Sequence, residues 1–272
     1  MNKFLFQYIP EAILLSAVLL WFAGCPSPHE AQKPQPVAVP PQGKKPAGPE
    51  MTFEFATLDI THHHGRIEQS DIDHLAEYLR REKIDILSVQ GIVRYPGLQT
   101  RIDFVDALTA GSGMHQAFGE TITLNGRQGG NAIFSGFPIK TTNNSHYIEM
   151  QGNGFEAALQ AIVDCGLRDV VVVSTRLPED AGTGEETNAM STFTTFCTTY
   201  LNHPIIISGN LPRAAIMQPP AAYTEVQITN AGLTKVWYTN DGSLKVLQTK
   251  IDSTRFGTIA LIQFGLFRAK AG

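Results

Sequence analysis

Ile84-Asp85-Ile86-Leu87-Ser88-Val89-Gln90-Gly91 is a short apolar run entered through an aspartate and left through a glycine. A run of this length bounded by turn residues reads as a buried β-strand. The segment before it has helical period: Ile72, Leu75, Ala76 and Leu79 share one face, with Ser70 placed to cap the first turn. The segment after it, with Tyr95, Pro96 and Gly97, is a loop. A helix feeding a buried strand marks an α/β arrangement, in which ligand sites are built at the carboxyl ends of strands. The residue at that end here is Gly91, which carries no side chain.

The pattern extends outward from this strand. Thr52 to Asp59 alternates as a half-buried strand does. Thr100 can cap a second helix with Ile102, Val105 and Leu108 inward, ended by Gly111-Ser112-Gly113. Strands are expected near 115–124, 130–135, 145–150, 156–163 and 169–175. A third helix, near 189–201, is weak by propensity because of Thr192, Thr194, Thr195, Thr198 and Thr199, so Phe193, Phe196, Tyr200 and Leu201 must hold it by packing. The apolar strand Ile205-Ile206-Ile207 follows, then short strands near 223–228, 234–239, 244–250 and 257–267. Helices interleave with strands early and late, and hairpins fill the middle. The implied fold class is α/β (α+β type): a four-layer α/β/β/α sandwich of two mostly antiparallel mixed sheets, formed by residues 51–272. The 272 residues are 43% hydrophobic with a formal net charge of −4, which supplies one sizeable core and no global basic field for nucleic acid.

The first 50 residues differ in character. Lys3 lies in a short polar start, and Ala12 to Ala23 is an uncharged apolar run of twelve residues, shorter than the ~20 a membrane span needs. The run closes on Phe22-Ala23-Gly24-Cys25, which resembles the bacterial lipobox, although Phe22 stands where leucine is usual and Glu11 is atypical of such a leader. Residues 1–25 then read as a lipoprotein-type signal ending at the lipidated Cys25; a plain secretory signal or an uncleaved anchor is the alternative. Residues 26–50 are rich in proline and nearly free of large apolar side chains, as in a disordered tether. The expected location is the bacterial cell envelope, anchored by lipid to the outer membrane or cell surface, with the membrane as partner.

A more specific resemblance lies in Gly129-Gly130-Asn131-Ala132-Ile133-Phe134-Ser135-Gly136-Phe137-Pro138-Ile139. It is similar to the Gly-Asn-Ala-Ile-x-Ser-x-x-Pro-Ile segment of the endonuclease/exonuclease/phosphatase superfamily, metal-dependent phosphodiesterases and phosphomonoesterases with a four-layer sandwich fold. Matching segments run in order over nearly all of 52–267. The resemblance places Asp59 where the family has an Asn, and Gly91 where it has its metal-binding Glu. Arg176 stands at the family's phosphate-contacting His. Gly209-Asn210-Leu211-Pro212 resembles Gly-Asp-Phe-Asn, so Asn210 replaces the general base and Pro212 the phosphate-side Asn. Trp237 replaces an Asp. Ser253-Thr254-Arg255 resembles Ser-Asp-His, so Thr254 and Arg255 replace the orienting Asp and the acid/base His.

These substitutions remove the chemistry. Mg²⁺ takes carboxylate oxygens, an attacking water needs a base of suitable pKa, and developing phosphate charge needs a His or a metal. The resemblance therefore implies the fold with a degenerate site and no metal: a pseudoenzyme acting as a binding or structural module. The alternative is a divergent Mg²⁺-dependent phosphodiesterase, nuclease or phosphatase using shifted ligands. Arg176, Arg255 and Asn131 are candidates to bind a small anion. Two clefted arginines need partners, either Asp59 within the fold or an external anion. A protein partner is the other option; nucleic acid is not expected. His62-His63-His64 reads as a surface loop rather than a metal site, since successive side chains diverge. Cys165 and Cys197 could pair in an oxidising compartment, but two separate thiols are expected.

The lipobox reading is checked by fractionation. Cys25→Ser should release the protein from membranes or block its maturation, because acylation supplies the hold. A Cys25→Ser protein that is processed to the same length as the parent and stays fully membrane-bound would contradict it.

Overall fold

The computed structural model describes residues 48–61, 67–95, 101–150, 154–177, 182–211, 221–228 and 234–268. These contain twelve strands and three helices. In chain order they are β1 (Met51–Asp59), α1 (Gln69–Arg81), β2 (Ile86–Arg94), α2 (Phe104–Ser112), β3 (His115–Leu124), β4 (Arg127–Ser135), β5 (Ile139–Met150), β6 (Gly154–Asp164), β7 (Asp169–Arg176), α3 (Thr183–Thr199), β8 (Ile205–Asn210), β9 (Tyr223–Glu225), β10 (Thr234–Thr239), β11 (Leu244–Thr254) and β12 (Gly257–Leu266).

The strands form two mixed six-stranded sheets, ordered β11-β12-β1-β2-β4-β3 and β5-β6-β7-β8-β10-β9. Among the described residues their one ladder pairing with each other is Ile122 opposite Gly154. Each sheet has one parallel pair, β1–β2 in the first and β7–β8 in the second. Each parallel pair is joined through a helix, α1 or α3, because a parallel return cannot be made by a tight turn. The central strands are apolar on both faces, as burial on both sides requires. Val170 and Val172 point between the sheets with Ile206, while Val171 and Val173 face α3 with Ile207. Three apolar layers result. Leu75, Leu79, Leu87, Val89, Phe104 and Leu108 join α1 and α2 to the first sheet. Phe53, Phe55, Ile133, Leu159, Ile262 and Phe264 fill the space between the sheets. Phe193, Phe196 and Trp237 join α3 to the second. This is the expected four-layer α/β/β/α sandwich.

The helix starts differ from expectation, for identifiable reasons. α1 begins at Gln69, before Ser70, because the Asp71 carboxylate reaches back to accept the Glu68 N–H (2.9 Å). The second helix is capped by Asp103, whose carboxylate accepts from Val105 N (3.0 Å) and Asp106 N (3.2 Å); Thr100 lies outside the described residues. It ends, as expected, on a left-handed Gly113. α3 begins at Thr183, earlier than 189, where the Glu185 carboxylate reaches back to accept the Gly182 N–H (2.6 Å), and its threonines satisfy their own hydroxyls further along. Thr192, Thr194 and Thr195 donate to carbonyls four residues back at 2.9–3.0 Å. Phe193 and Phe196 hold it to the sheet, but Leu201 falls beyond the helix and is exposed. Strands β4, β5 and β6 are longer than the sequence pattern suggested. Cys165 and Cys197 are both free thiols, and burial pushes the Cys165 thiol up to about 12. Cys25 and the His62–His64 triplet lie outside the described residues.

Candidate functional site

The carboxyl ends of β1 and β2 face those of β7 and β8, the place where the fold builds a site. Between the sheets the apolar layer gives way there to polar side chains in register. Thr57 lies beside Ser88 and Asp59 beside Gln90 across β1–β2; Ser174 lies beside Ser208 and Arg176 beside Asn210 across β7–β8. The two sets bond across the gap. The Ser208 hydroxyl donates to Ser88 Oγ at 2.8 Å. Gln90 Nε2 donates to Ser88 Oγ (2.8 Å) and to Ser174 Oγ (2.9 Å), while Gln90 Oε1 accepts from Thr57 Oγ1 (3.3 Å). One tier further out, Asn210 Nδ2 donates to Asp59 Oδ2. The inner tier is fully buried, so these groups satisfy one another instead of water.

Gly91 sits at a bulge in β2 with φ +74°, a left-handed conformation. Thr61 fills the space a side chain would take: a Cβ on Gly91 would stand 2.7 Å from both the N and Cα of Thr61. The first strand is held in this place by Ile60 N donating to Gln90 O (3.0 Å) and by Thr61 N donating to Asp59 Oδ1 (2.8 Å). The space beside Gly91, the position that the resemblance matched to the family's metal-binding Glu, is closed by backbone.

Both arginines have carboxylate partners other than the Asp59 that the sequence suggested. Asp59 accepts from Asn210 and from the backbone of Thr61. Arg176 Nη1 lies 3.2 Å from Glu156 Oε1, and Arg255 Nη1 is paired with Asp71.

 The basic groups are thus matched by two acids that the motif comparison did not single out. Glu156 is almost fully buried, and that burial pushes its carboxyl up to about 7 even though the Arg176 charge pulls it down. Asp71 is buried at the start of α1, while Arg255 reaches it from the β11–β12 turn with its own side chain half in solvent.

The remaining sequence candidates are placed as follows. Asn131 is buried and donates to Ala157 O (3.2 Å), so it ties β4 to β6. Trp237 is wholly buried in the layer beneath α3, edge-on to Phe193, with its indole N–H 3.4 Å from Glu225. It belongs to the core and not to the cleft. Thr254 donates to Gly257 O (2.9 Å) and closes the β11–β12 turn. Pro212 lies outside the described residues. The structure therefore unites Asp59 with Asn210, and places Arg176 beside Asn210 in the β7–β8 register, while Arg255 and Trp237 turn to the outer layers. Among the described residues of this site the donor set does not fit a divalent cation. Gly91 has no ligand atom, both Asp59 oxygens accept protein N–H groups, and among the described residues no three His, Cys, Asp or Glu side chains converge.

Comparison with solved structures gives the fold its name. The chain superposes on an endonuclease/exonuclease/phosphatase protein from Beutenbergia cavernae with TM-score 0.61 at 16% identity, covering 81% of this chain and 73% of that one. A second such protein, from Bacteroides vulgatus, gives TM-score 0.62 at 11% identity, covering 80% and 100%. The human Nocturnin catalytic domain, solved with bound sulfate, gives 0.60 at 14%, covering 79% and 93%. The fold is the endonuclease/exonuclease/phosphatase fold. No family model matches the sequence, and no curated protein matches it. Within the endonuclease/exonuclease/phosphatase fold, the inter-sheet polar tiers and the Gly91 bulge occupy the end of the sheets where the sequence resemblance had placed Asp59, Gly91 and Asn210.

Two outcomes follow from this geometry. Gly91→Ala should destabilise the protein by about 2 kcal/mol or more, since positive φ and a backbone clash act together; a melting temperature equal to that of the parent would show that Thr61 yields easily. Glu156 gives a pH dependence. Its folded pKa lies above its unfolded one, so the folded state binds the extra proton and stability falls as pH rises from about 4.5 towards 7. The loss is on the order of 3 kcal/mol. Glu156→Gln should flatten that part of the melting temperature–pH curve, and parallel curves for the two proteins would contradict the assignment.

Proposed function

We propose that this chain is a membrane-anchored exported lipoprotein whose endonuclease/exonuclease/phosphatase-like domain is a non-catalytic binding or structural module. The observation that carries the reading is Gly91: the position of the metal ligand has no side chain, and Thr61 takes up the space one would need. Asn210 supports it, because an amide that donates to Asp59 cannot take a proton from water. Groups that act as a unit fail as a unit, so the loss of ligand, base and acid together is not repaired by any one of the others. No cofactor is required by this reading. Arg176 and Arg255 already hold carboxylates, so a small anion would have to compete with an intramolecular one; a protein partner fits the module better.

The test is hydrolysis. Purified full-length protein with Mg²⁺ or Mn²⁺ should not turn over DNA, RNA, phosphoinositide or a simple phosphodiester. Gly91→Glu should not confer activity. Metal-dependent turnover that Asp59→Ala and Asn210→Ala both abolish would overturn the reading in favour of a divergent hydrolase, whereas turnover that survives both changes comes from a contaminant.

A further inference from the structure

Five large apolar side chains are exposed among the described residues, and three of them share one place. Val93 is 39% exposed, Ile122 36% and Leu124 60%. Val93 and Ile122 both lie opposite Gly129, in the neighbouring strands β2 and β3 that flank β4. The Ile122 side chain lies over Gly129, and Leu124 is two residues further along the same strand, so the three project from one face of the sheet. The opposite face belongs to the helices: Ile92 packs beneath them, and Arg94 pairs there with Asp103 and Asp106 of the α2 region, each at 2.9 Å.

The margin of the apolar patch is basic and aromatic. Tyr95 follows β2, and the guanidiniums of Arg101 and Arg127 stand 5.7 and 5.8 Å from its ring centroid. Among the described residues neither arginine forms an ion pair. The acids near this end are engaged elsewhere: Asp103 and Asp106 with Arg94, and Glu120 with Thr123 and Gln128.

We infer that this end of the β2–β4–β3 ribbon docks on an anionic lipid bilayer. Three aliphatic side chains on a protruding edge enter the boundary between headgroups and acyl chains, a tyrosine suits the same depth, and two unpaired guanidiniums meet lipid phosphates. Charge decides for this occupant. An apolar protein partner would match the aliphatics but leave two cations to be desolvated without acids, whereas an anionic bilayer answers both features. The inference does not depend on the absence of catalysis, and it does not require Cys25 to be lipidated.

The experiment uses full-length Cys25→Ser protein, so that no acyl chain brings the domain to the vesicle. Leu124→Trp in that background places a fluorophore at the tip, and the same protein without Leu124→Trp supplies the blank for the two native tryptophans. With vesicles of phosphatidylglycerol and phosphatidylcholine, the added emission should shift to the blue and be quenched by brominated lipid. Arg101→Gln with Arg127→Gln should raise the lipid concentration needed for half the shift roughly 30-fold, two charges at about 1 kcal/mol each. An added emission unchanged by vesicles overturns the inference. So does an equal response to pure phosphatidylcholine, and so does a blue shift that appears on raising protein concentration without lipid, which would assign the patch to a second copy.

Discussion

Polar groups placed between two β-sheets must satisfy one another, and that constraint organises this end of the molecule. Ser88, Gln90, Ser174 and Ser208 are all buried, and burying such groups without partners costs roughly 1–3 kcal/mol each. They avoid the cost only if β2, β7 and β8 hold one relative register, because each bond crosses the gap between the sheets or runs along it. Apolar contacts between the sheets fill space but tolerate sliding; the serine and glutamine bonds do not. The tier thus fixes how the two sheets meet, and Asp59 and Asn210 stand on top of it.

The Gly91 bulge follows from the same geometry. Gln90 points inward to the serines, and the chain must then step out of register with β4, which it does between Val89 and Ile92. A left-handed residue at the bulge makes that step, and glycine adopts it without strain. The space so freed is taken by Thr61, whose backbone is drawn in by the bond from Ile60 to Gln90 and by the Asp59 carboxylate. The bare backbone at 91 and its closure by Thr61 are therefore one structural feature.

The fold was legible because its signals are local. Ile205-Ile206-Ile207 and Val170 to Val173 declare strands buried on both faces, and Ile72, Leu75, Ala76 and Leu79 declare a helix with one buried face. Helix starts were read less well, since Asp71 and Asp103 compete with Ser70 and Thr100 and only geometry shows which oxygen reaches the free N–H groups. The polar tier left a trace in retrospect: Ser88, Ser174 and Ser208 each interrupt an otherwise apolar run. Which of them would bond depended on the pairing of strands separated by 84 to 120 residues, and no local pattern carries that.

The charges at the site show the same limit. The family pattern pointed to two arginines in one cleft that needed partners, because Arg176 and Arg255 stand at two histidine positions. That pattern does not see Glu156 and Asp71, which lie far from those motifs in sequence and next to Arg176 and Arg255 in space. An arginine brought into a partly buried site keeps its charge at any physiological pH, so it needs a carboxylate close by. Glu156 meets that need at the cost of a raised pKa, whereas Asp71 also serves the first turn of α1 by accepting the Glu68 N–H. The two arginines are consequently held by different partners: Arg176 by Glu156 on β6, the neighbouring strand of its own sheet, and Arg255, in the β11–β12 turn, by Asp71 of α1.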